Sequence, residues 1–227
     1  MKTVMVTGAN RGIGLELVRQ FAAGGARVLA CCREPRSADA LQGLAAGSDG
    51  RVTIHKVDVT HPEDIAGLKQ EIGDMPIDIL FNNAGISGGK EWEVDYDQWD
   101  AAFRVNTIGP YRMSTAFRAN LAAGSDRKLA TISSQLGSIA ENTGGRTAYR
   151  SSKAAVNQVM KGLAHEYQGD GITVIILHPG WVRTDMGGPQ APVSPEDSAR
   201  GLIRVIERVG LKDSGKFIDY QGRKLPW

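Results

Sequence analysis

A regular alternation of short apolar runs with amphipathic stretches constrains the fold of this chain more than any other feature. Seven β-prone runs, three to six residues long, lie at Thr3–Thr7, Arg27–Cys32, Val52–Val57, Ile77–Phe81, Leu129–Ser133, Thr173–Leu177 and Lys216–Ile218. Helical patterns lie between them, at Leu15–Phe21, Ala38–Ala45, Pro62–Ile72, Tyr96–Asn106, Tyr111–Leu121, Ala148–Tyr167 and Pro195–Val209, with a break expected near Gly109 and Pro110. Nearly continuous apolar strands that alternate with helices are typical of a parallel sheet covered on both faces. We therefore predict an α/β fold with a doubly wound, mainly parallel seven-stranded sheet.

Length, charge and cysteine content narrow the class of protein. A chain of 227 residues can form one domain, and its 27 basic side chains nearly balance 25 acidic ones without clustering, so we expect neither a nucleic-acid nor a membrane partner. The adjacent Cys31 and Cys32 match neither a disulfide framework nor a metal-ligand spacing, and we expect no metal site. No apolar run approaches the ~20 residues that span a bilayer, and no signal-like segment opens the sequence. These features predict a cytoplasmic protein.

A glycine-rich turn follows the first apolar run and opens the first helix. Its residues are Gly8, Ala9, Asn10, Arg11, Gly12, Ile13 and Gly14. A strand, a glycine turn and a helix in this order bring bare backbone N–H groups and the positive end of the helix to one point, where an anion is stabilised. Glycine permits the tight turn and the close approach of a ligand. The turn predicts a pyrophosphate site for a dinucleotide, although an ordinary strand-to-helix turn has similar composition.

Two arginines bear on which dinucleotide would bind. Arg33 follows the second strand, where an acidic residue would favour the ribose hydroxyl of NAD and an arginine the 2′-phosphate of NADP. Arg11 lies in the glycine turn, and two guanidiniums near one spot suit a phosphate. We therefore expect NADP(H), with NAD(H) less favoured; Glu34 is the residue that speaks for NAD(H).

Polar and small residues follow the third and fourth strands. Asp58, next to Val59, either contacts the adenine amine or caps the following turn, which is the commoner use of such an aspartate. Asn82, Asn83, Ala84 and Gly85 follow the fourth strand. Ligands of open α/β sheets sit in the crevice at the carboxyl ends of the strands, so we expect these residues to line it.

Tyr149 and Lys153 lie four residues apart in the longest helical pattern. Side chains at this spacing project from the same face of a helix. A neighbouring cation stabilises a phenolate, and the pair is suited to proton transfer to an oxygen. On its own the spacing is weak, since many helices carry it on a solvated face.

Taken together, these motifs resemble the short-chain dehydrogenases/reductases, and the resemblance runs from Thr3 to Trp227. It rests on Thr7-Gly8-x-x-x-Gly12-x-Gly14, Asn82-Asn83-Ala84-Gly85, Asn106, Ser133-Ser134, Tyr149-x-x-x-Lys153 and Pro179-Gly180, in this order. The segments His178–Gly188 and Asp219–Trp227 look like those of the small carbonyl reductases of the C-factor and sniffer type. The resemblance implies a Rossmann-type fold with the cofactor site and the catalytic site in one domain.

The resemblance also implies roles for single residues. Tyr149 would be the acid/base, Lys153 would lower its pKa and hold the nicotinamide ribose, Ser134 would bind the substrate oxygen, and Asn106 would hold a water for proton relay. The cofactor would contact Gly8, Asn10, Arg11, Gly12, Ile13, Gly14, Arg33, Asp58, Val59, Asn82, Ala84, Gly85, Tyr149, Lys153, Pro179, Gly180, Val182 and Thr184.

Several assignments stay open at this point. Ser134 lies fifteen residues before Tyr149, about two more than is common in the family, so Ser133 is an alternative hydroxyl. Trp181 lies in the loop that should approach the nicotinamide, and whether it lines the substrate side is left open. Trp92 and Trp99 either form walls of a substrate cleft or make core contacts. His178 is expected simply to hydrogen-bond its neighbours. The short segment between Met186 and Pro195 suggests an open pocket.

These observations predict an NADPH-dependent reductase of aldehydes or ketones that acts on a small-molecule carbonyl substrate. The alternatives are an NAD-dependent alcohol dehydrogenase with the same apparatus, and a non-catalytic dinucleotide-responsive signalling or scaffold protein. Ala155, Val159 and Leu163 on the Tyr149 helix suggest either a homodimer through that helix or packing against the chain's own core.

Overall fold

Seven parallel strands form one sheet in this computed structural model, which describes residues 1–89 and 94–227. The strand order is β3-β2-β1-β4-β5-β6-β7, and each neighbouring pair is parallel. The strands are β1 Thr3–Thr7, β2 Arg27–Cys32, β3 Val52–Lys56, β4 Ile79–Asn82, β5 Lys128–Ile132, β6 Thr173–His178 and β7 Lys216–Asp219. All seven predicted strands are present, and the predicted doubly wound sheet is confirmed.

Helices cover both faces of the sheet. They are α1 Gly12–Ala23, α2 Asp39–Ala46, α3 Pro62–Ile72, α4 Tyr96–Phe103, α5 Gly109–Ala116, α6 Arg118–Ala123, α7 Thr147–Glu166 and α8 Pro195–Arg208. Successive residues of a strand face opposite sides, so β1 contributes Val4 and Val6 to a core with α1 and α8, and Met5 to a second core with α3, α5 and α7. The two cores hold the strand ends in register beneath the candidate site.

The sequence prediction of a break near Gly109 and Pro110 was wrong. A π-helical segment, Arg104–Ile108, continues α4 directly into α5, and the Gly109 N–H donates to the Arg104 carbonyl. Pro110 follows in the first turn of α5, directly after the π-helical segment. The helix is interrupted instead at Phe117, whose backbone leaves the helical region. Asn106 therefore lies inside a widened turn.

The chain order reverses at β1. From β1 the chain proceeds to β2 and β3 on one side, whereas β4 pairs with β1 on the other, with Met5 opposite Leu80. The connections from β1 and β4 leave the sheet in different directions, which opens a crevice at the carboxyl ends of these two strands.

The segment that follows β7, residues 220–227, turns back along the sheet edge, and we refer to it as the tail segment. The buried Asp219 carboxylate accepts hydrogen bonds from the backbone N–H groups of Gln221 and Arg223, which closes the turn. Leu225 N–H then donates to the Phe217 carbonyl at 2.9 Å, so that the tail segment runs antiparallel to β7.

Among residues 1–89 and 94–227, no helix combines the length and the apolar character needed to cross a bilayer.

Candidate active site

The glycine turn after β1 packs tightly against the end of β4. Asn83 Nδ2 donates to the carbonyl oxygens of Thr7 (2.9 Å) and Gly8 (3.1 Å), and Thr7 Oγ1 accepts from the backbone N–H groups of Asn83 and Ala84. Gly8 has φ of +64°, and a Cβ there would lie 2.9 Å from the Ala84 Cα. Thr7 was not assigned a role from the sequence, and Asn83, which was expected to line the crevice, binds the glycine turn instead.

The first turn of α1 is open to a ligand. Arg11 occupies the N-cap position, and its side chain makes no capping hydrogen bond. A Cβ at Gly14 would overlap the carbonyl oxygen of Gly8, so this position has room for hydrogen alone. Asn10 is exposed beside the turn, while Ile13 is partly buried against the core. The bare N–H groups of the turn and the shape of the cradle fit a phosphate.

Arg11 is engaged in an ion pair in this structure. Its guanidinium contacts the Asp185 carboxylate in the loop that follows β6, and both side chains are largely exposed. In the same loop Thr184 approaches the glycine turn, since a Cβ at Gly12 would lie 3.2 Å from its Cγ2 atom. The glycine turn and the loop after β6 thus meet above α1.

Asp58 caps the turn that follows β3, which is the commoner of the two roles expected for it from the sequence. Its Oδ1 accepts from the backbone N–H (2.8 Å) and the hydroxyl (2.7 Å) of Thr60. Burial alone would raise the pKa of Asp58, but these hydrogen bonds and the charges of His61 and Arg33 outweigh burial and lower it. The exposed Arg33 is therefore near Asp58, at the carboxyl ends of β2 and β3. Val59 is buried.

The Asn82 side chain does not face the crevice, contrary to the expectation that it would line the ribose site. It is buried and its Nδ2 lies within hydrogen-bond distance of Pro110 O (3.3 Å), Ser114 Oγ (3.1 Å) and Thr131 Oγ1 (3.4 Å). The Asn82 amide thus lies between β4, β5 and α5, where its Nδ2 has acceptors while its buried Oδ1 has no partner among the described residues. Gly85 lies at the crevice instead, because a Cβ there would be 3.6 Å from Lys153 Nζ and 3.3 Å from Asn106 Oδ1.

Asn106 joins three parts of the site. Its Oδ1 accepts from the Ile86 N–H (2.9 Å), and its Nδ2 donates to the Ile86 carbonyl (2.9 Å) and to Ser152 Oγ (3.0 Å). Both amide hydrogens are thus engaged within the protein. The π-helical turn presents Asn106 to the segment after β4 and to α7, and the observed role of its side chain is to hold them together.

Ser134 and Tyr149 lie together, whereas Ser133 points away. Ser133 Oγ donates to Asn157 Oδ1 at 2.5 Å and is buried in the contact between β5 and α7. Burial raises the pKa of the Tyr149 phenol, and a hydrogen bond with Ser134 and the charge of Arg146 act in the opposite direction. The net shift is upward, so the expected lowering of the Tyr149 pKa by Lys153 is not observed in this structure.

The position of the Lys153 ammonium group explains why it does not lower the pKa of Tyr149. It is buried, and it donates to the Ile132 carbonyl at 2.8 Å rather than to the phenol. Its distance to the centre of the Tyr149 ring is 5.8 Å, so the two side chains share a helix face as their spacing predicted. Burial lowers the pKa of Lys153 to about 8, which leaves the ammonium form in the majority at pH 7.

The loop after β6 holds the remaining expected cofactor contacts. The Pro179 carbonyl accepts from Ser198 Oγ at 2.7 Å, Gly180 lies against the Tyr220 ring, and Val182 pairs with Val193. Thr184 Oγ1 accepts from the Gly187 N–H. These contacts fold the loop back on itself.

Trp181 lies in this loop and His178 just before it, and the two side chains differ in exposure and in hydrogen bonding. Trp181 is largely exposed, and its indole N–H donates to the Gly187 carbonyl at 2.8 Å. Within the described residues, the buried Nδ1 of His178 has no hydrogen-bond partner, so the expectation that His178 simply bonds its neighbours was wrong. Burial lowers its pKa to about 4.

Of the other two tryptophans considered from the sequence, Trp99 lies in α4. Trp99 packs α4 against α7, since its indole N–H donates to Ser151 Oγ at 3.0 Å. This contact supports its interpretation as a packing residue. Trp92 lies outside the described residues.

Comparisons with known proteins identify the family of this chain. The family model described as short chain dehydrogenase matches residues 2–193. The C-signal protein of Myxococcus xanthus is 44% identical over 157 residues, which cover 67% of this chain and 93% of that protein. Among solved structures, the carbonyl reductase Sniffer of D. melanogaster has a TM-score of 0.91 at 32% identity and covers 100% of both chains. NADPH-bound carbonyl reductase from chicken fatty liver has a TM-score of 0.92 at 33% identity, covering 100% of this chain and 99% of that one. This chain belongs to the short-chain dehydrogenase family of oxidoreductases.

Proposed function

We propose that this protein reduces an aldehyde or ketone to the corresponding alcohol, with NADPH preferred over NADH as the hydride donor. The observation that carries the proposal is the convergence of Ser134, Tyr149 and Lys153 beside the cradle formed by the glycine turn and Gly85. One continuous sheet supports both groups of residues, so we also propose that cofactor site and catalytic site belong to a single domain, 1–227.

The cofactor is assigned to the crevice between β1 and β4. A Cβ at Gly8 would collide with Ala84 and a Cβ at Gly14 with the Gly8 carbonyl, so these glycines keep the turn compact, and the uncapped turn of α1 supplies donors for the pyrophosphate. Arg33, near Asp58, would bind the 2′-phosphate of NADPH. Arg11 could bind the same phosphate after its ion pair with Asp185 is broken. The NADPH-bound relative from chicken fatty liver supports the same preference.

Each catalytic side chain has a defined proposed task. When bound, the reduced nicotinamide supplies a hydride to the carbonyl carbon. Tyr149 donates its phenolic proton to the carbonyl oxygen, and its raised pKa keeps that proton in place until the oxygen becomes basic. Ser134 donates a hydrogen bond to the same oxygen and stabilises the charge that develops there. Lys153, which donates to the Ile132 carbonyl in this structure, holds the nicotinamide ribose in the proposed complex and stabilises the phenolate only as the proton leaves.

An NAD-dependent alcohol dehydrogenase would use the same residues in reverse. A signalling role is the second candidate, and the observation in its favour is the 44% identity with the C-signal protein. The proton-donating set near Tyr149 argues for chemistry in either case, because a protein that only binds a dinucleotide needs no such set.

The decisive experiment measures binding and turnover on one sample. Equilibrium binding of NADPH and NADH is followed by oxidation of the tighter cofactor with a panel of aldehydes, ketones and quinones. We expect tighter NADPH binding and turnover on at least one compound. Tyr149→Phe removes only the hydroxyl, and we expect it to lower kcat by at least about 100-fold, the scale of general acid catalysis, while cofactor affinity stays within about twofold.

The outcomes separate the candidates. Unchanged turnover in Tyr149→Phe would refute the catalytic assignment. Tight binding without turnover across the panel would favour the signalling candidate, and stronger binding of NADH would favour the alcohol dehydrogenase. If neither cofactor binds, the dinucleotide site itself is wrong.

A further inference from the structure

We propose that Trp227 is a positioning residue for the reaction, which holds in place the loop that joins Ser134 to Tyr149. We refer to residues 138–146 as the joining loop. The proposal rests on the proposed function, because it assumes that Ser134 and Tyr149 carry the chemistry.

Trp227 contacts three separate parts of the chain. Its carbonyl oxygen accepts from the Ala140 N–H of the joining loop at 2.8 Å. Its ring stacks on Phe217 of β7, with the ring centres 5.7 Å apart and the planes 23° apart. The Lys161 ammonium of α7 lies 5.7 Å from the centre of the indole. Trp227 thus links the joining loop to the edge of the sheet and to the helix that carries Tyr149.

The tail segment presents Trp227 in a fixed position. Asp219 closes the turn through the backbone of Gln221 and Arg223, and its second carboxylate oxygen accepts from Arg223 Nε at 2.7 Å. The hydrogen bond between Leu225 and Phe217 then aligns the tail segment with β7. Trp227 is 40% exposed, so it is held by these contacts rather than by a surrounding core.

The other hydrogen bonds of the joining loop are local in sequence, such as the one from Gln135 Nε2 to Glu141 Oε2 at 2.7 Å. The backbone N–H groups of Glu141 and Gly144 donate to side chains within the loop, and Arg150 Nη2 donates to Thr143 Oγ1. Ile139 is 75% exposed. Across the described residues, the bond from Ala140 to Trp227 is the hydrogen bond that joins this loop to a part of the chain distant in sequence.

The position of the joining loop bears directly on the site. The loop begins four residues after Ser134 and ends three residues before Tyr149. At its end Arg146 has left-handed backbone angles, φ 49° and ψ 40°, and its charge acts on the Tyr149 phenol. A loop released at Ala140 would move Arg146 and the segment next to Ser134, which changes how a carbonyl substrate is held.

The test compares Trp227→Ala with Trp227→Phe. In the absence of cofactor, hydrogen exchange is measured on peptides that cover the joining loop. Loss of the stacked ring and the cation contact is expected to raise exchange at Ala140 about tenfold in Trp227→Ala, and much less in the phenylalanine variant. With a carbonyl substrate from the panel, we expect KM to rise at least about fivefold in Trp227→Ala while the Kd of NADPH stays within about twofold, as a positioning role requires.

Matched controls keep the result interpretable. Tyr111 is an aromatic side chain of similar exposure, 45%, on α5, and Tyr111→Ala should leave both readouts unchanged. Lys161→Gln removes the cation above the indole and should raise exchange in the same direction by a smaller factor, so the proposal can be tested even if Trp227→Ala does not fold. Recovery of both readouts in Trp227→Phe would support the positioning role.

Unchanged exchange in the joining loop of Trp227→Ala and Lys161→Gln would overturn the proposal. Faster exchange with unchanged KM and kcat would also overturn it, because the loop would then be irrelevant to the reaction. The exchange measurement needs no turnover, so a wild-type protein that reduces no carbonyl would defeat the proposed function while leaving the contact between Trp227 and the loop testable.

Discussion

The buried Lys153 and the half-buried His178 near the candidate site have strongly shifted pKa values, and burial is the main cause of each shift. It lowers the pKa of Lys153 to about 8 and that of His178 to about 4. The two residues differ in their partners, because Lys153 donates to Ile132 whereas the Nδ1 of His178 lacks a partner among the described residues. The histidine is therefore neutral in the folded protein at pH 7.

The depressed pKa of His178 predicts a loss of stability in acid. The unfolded protein binds the proton below about pH 6.5 and the folded protein only near pH 4. Over this range the unfolded state holds more protons, so stability falls with pH, by at most about 3 kcal/mol from this group. His178→Asn should reduce the fall between pH 6.5 and 4, as measured by urea unfolding. The exposed control His165→Asn should behave as wild type, and an unchanged slope in His178→Asn would contradict the assignment.

The sequence predicted part of the site at this scale. The spacing of Tyr149 and Lys153 was sufficient to place them on one helix face, because helix geometry is local. The direction of the Asn82 side chain was not predictable, since it depends on Ser114 and Thr131, which lie 32 and 49 residues away. The pKa of Tyr149 followed burial, which a sequence pattern does not specify.

At the scale of elements, the π-helical segment Arg104–Ile108 organises the middle of the chain. It keeps α4 and α5 continuous and turns Asn106 toward Ile86 and Ser152. Gly109 follows immediately and is packed against Val59, since a Cβ there would lie 2.7 Å from Val59 Cγ2. Extra turns of this kind are frequent at functional sites.

Gly109→Ala should therefore destabilise the protein despite the better helix propensity of alanine. Overpacking against the buried, stiff Val59 is expected to cost about 1–3 kcal/mol, more than the ~1 kcal/mol that alanine gains over glycine in a helix. Gly162 in α7 is the matched control, because a Cβ there meets nothing within 4 Å, and Gly162→Ala should stabilise. Denaturant unfolding of the two variants measures the difference. Equal stabilisation of both would show that Gly109 is not closely packed.

The strands were predictable because their own residues mark them, whereas the position of the helix break depends on residues elsewhere in the fold. Buried parallel strands are marked by their own apolar residues, as in Thr173–His178. A proline was expected to end a helix, but its effect depends on where it falls in the turn, and Pro110 falls in the first turn of α5. The π-helical shift that places it there is stabilised by contacts outside the segment.

At the scale of the whole molecule, the parallel sheet brings loops distant in sequence together above its carboxyl edge. Arg11 and Asp185 meet there although 174 residues separate them. The apolar residues that suggested a dimer through α7 are partly used within the chain, since Leu163 is buried in the core and Val159 packs against it. The homodimer stays a prediction, for which Ala155 and Val159 are still partly exposed.

The Arg11–Asp185 pair predicts a selective effect on cofactor affinity. The carboxylate competes with a 2′-phosphate for the guanidinium, so Asp185→Asn should tighten NADPH binding by up to about fivefold at low salt, the scale of an exposed ion pair, and leave NADH binding unchanged. The gain should disappear in the Arg11→Ala background. Glu196→Gln removes an exposed partner of Arg200 elsewhere and serves as the control. Equal changes for NADH and NADPH would argue against a phosphate contact by Arg11.

The antiparallel pairing of the tail segment with β7 also affects how readily molecules of this protein could aggregate through the sheet edge. A strand at the border of a sheet offers unpaired backbone groups to which a neighbouring molecule can add its own strand, and such additions lead to aggregation. Here the outer side of β7 is already paired, through Asp219 N–H to Arg223 O and Leu225 N–H to Phe217 O. Lys224 adds a cationic side chain to the same border. We therefore expect this pairing to hinder the addition of a neighbouring molecule's strand to β7 itself.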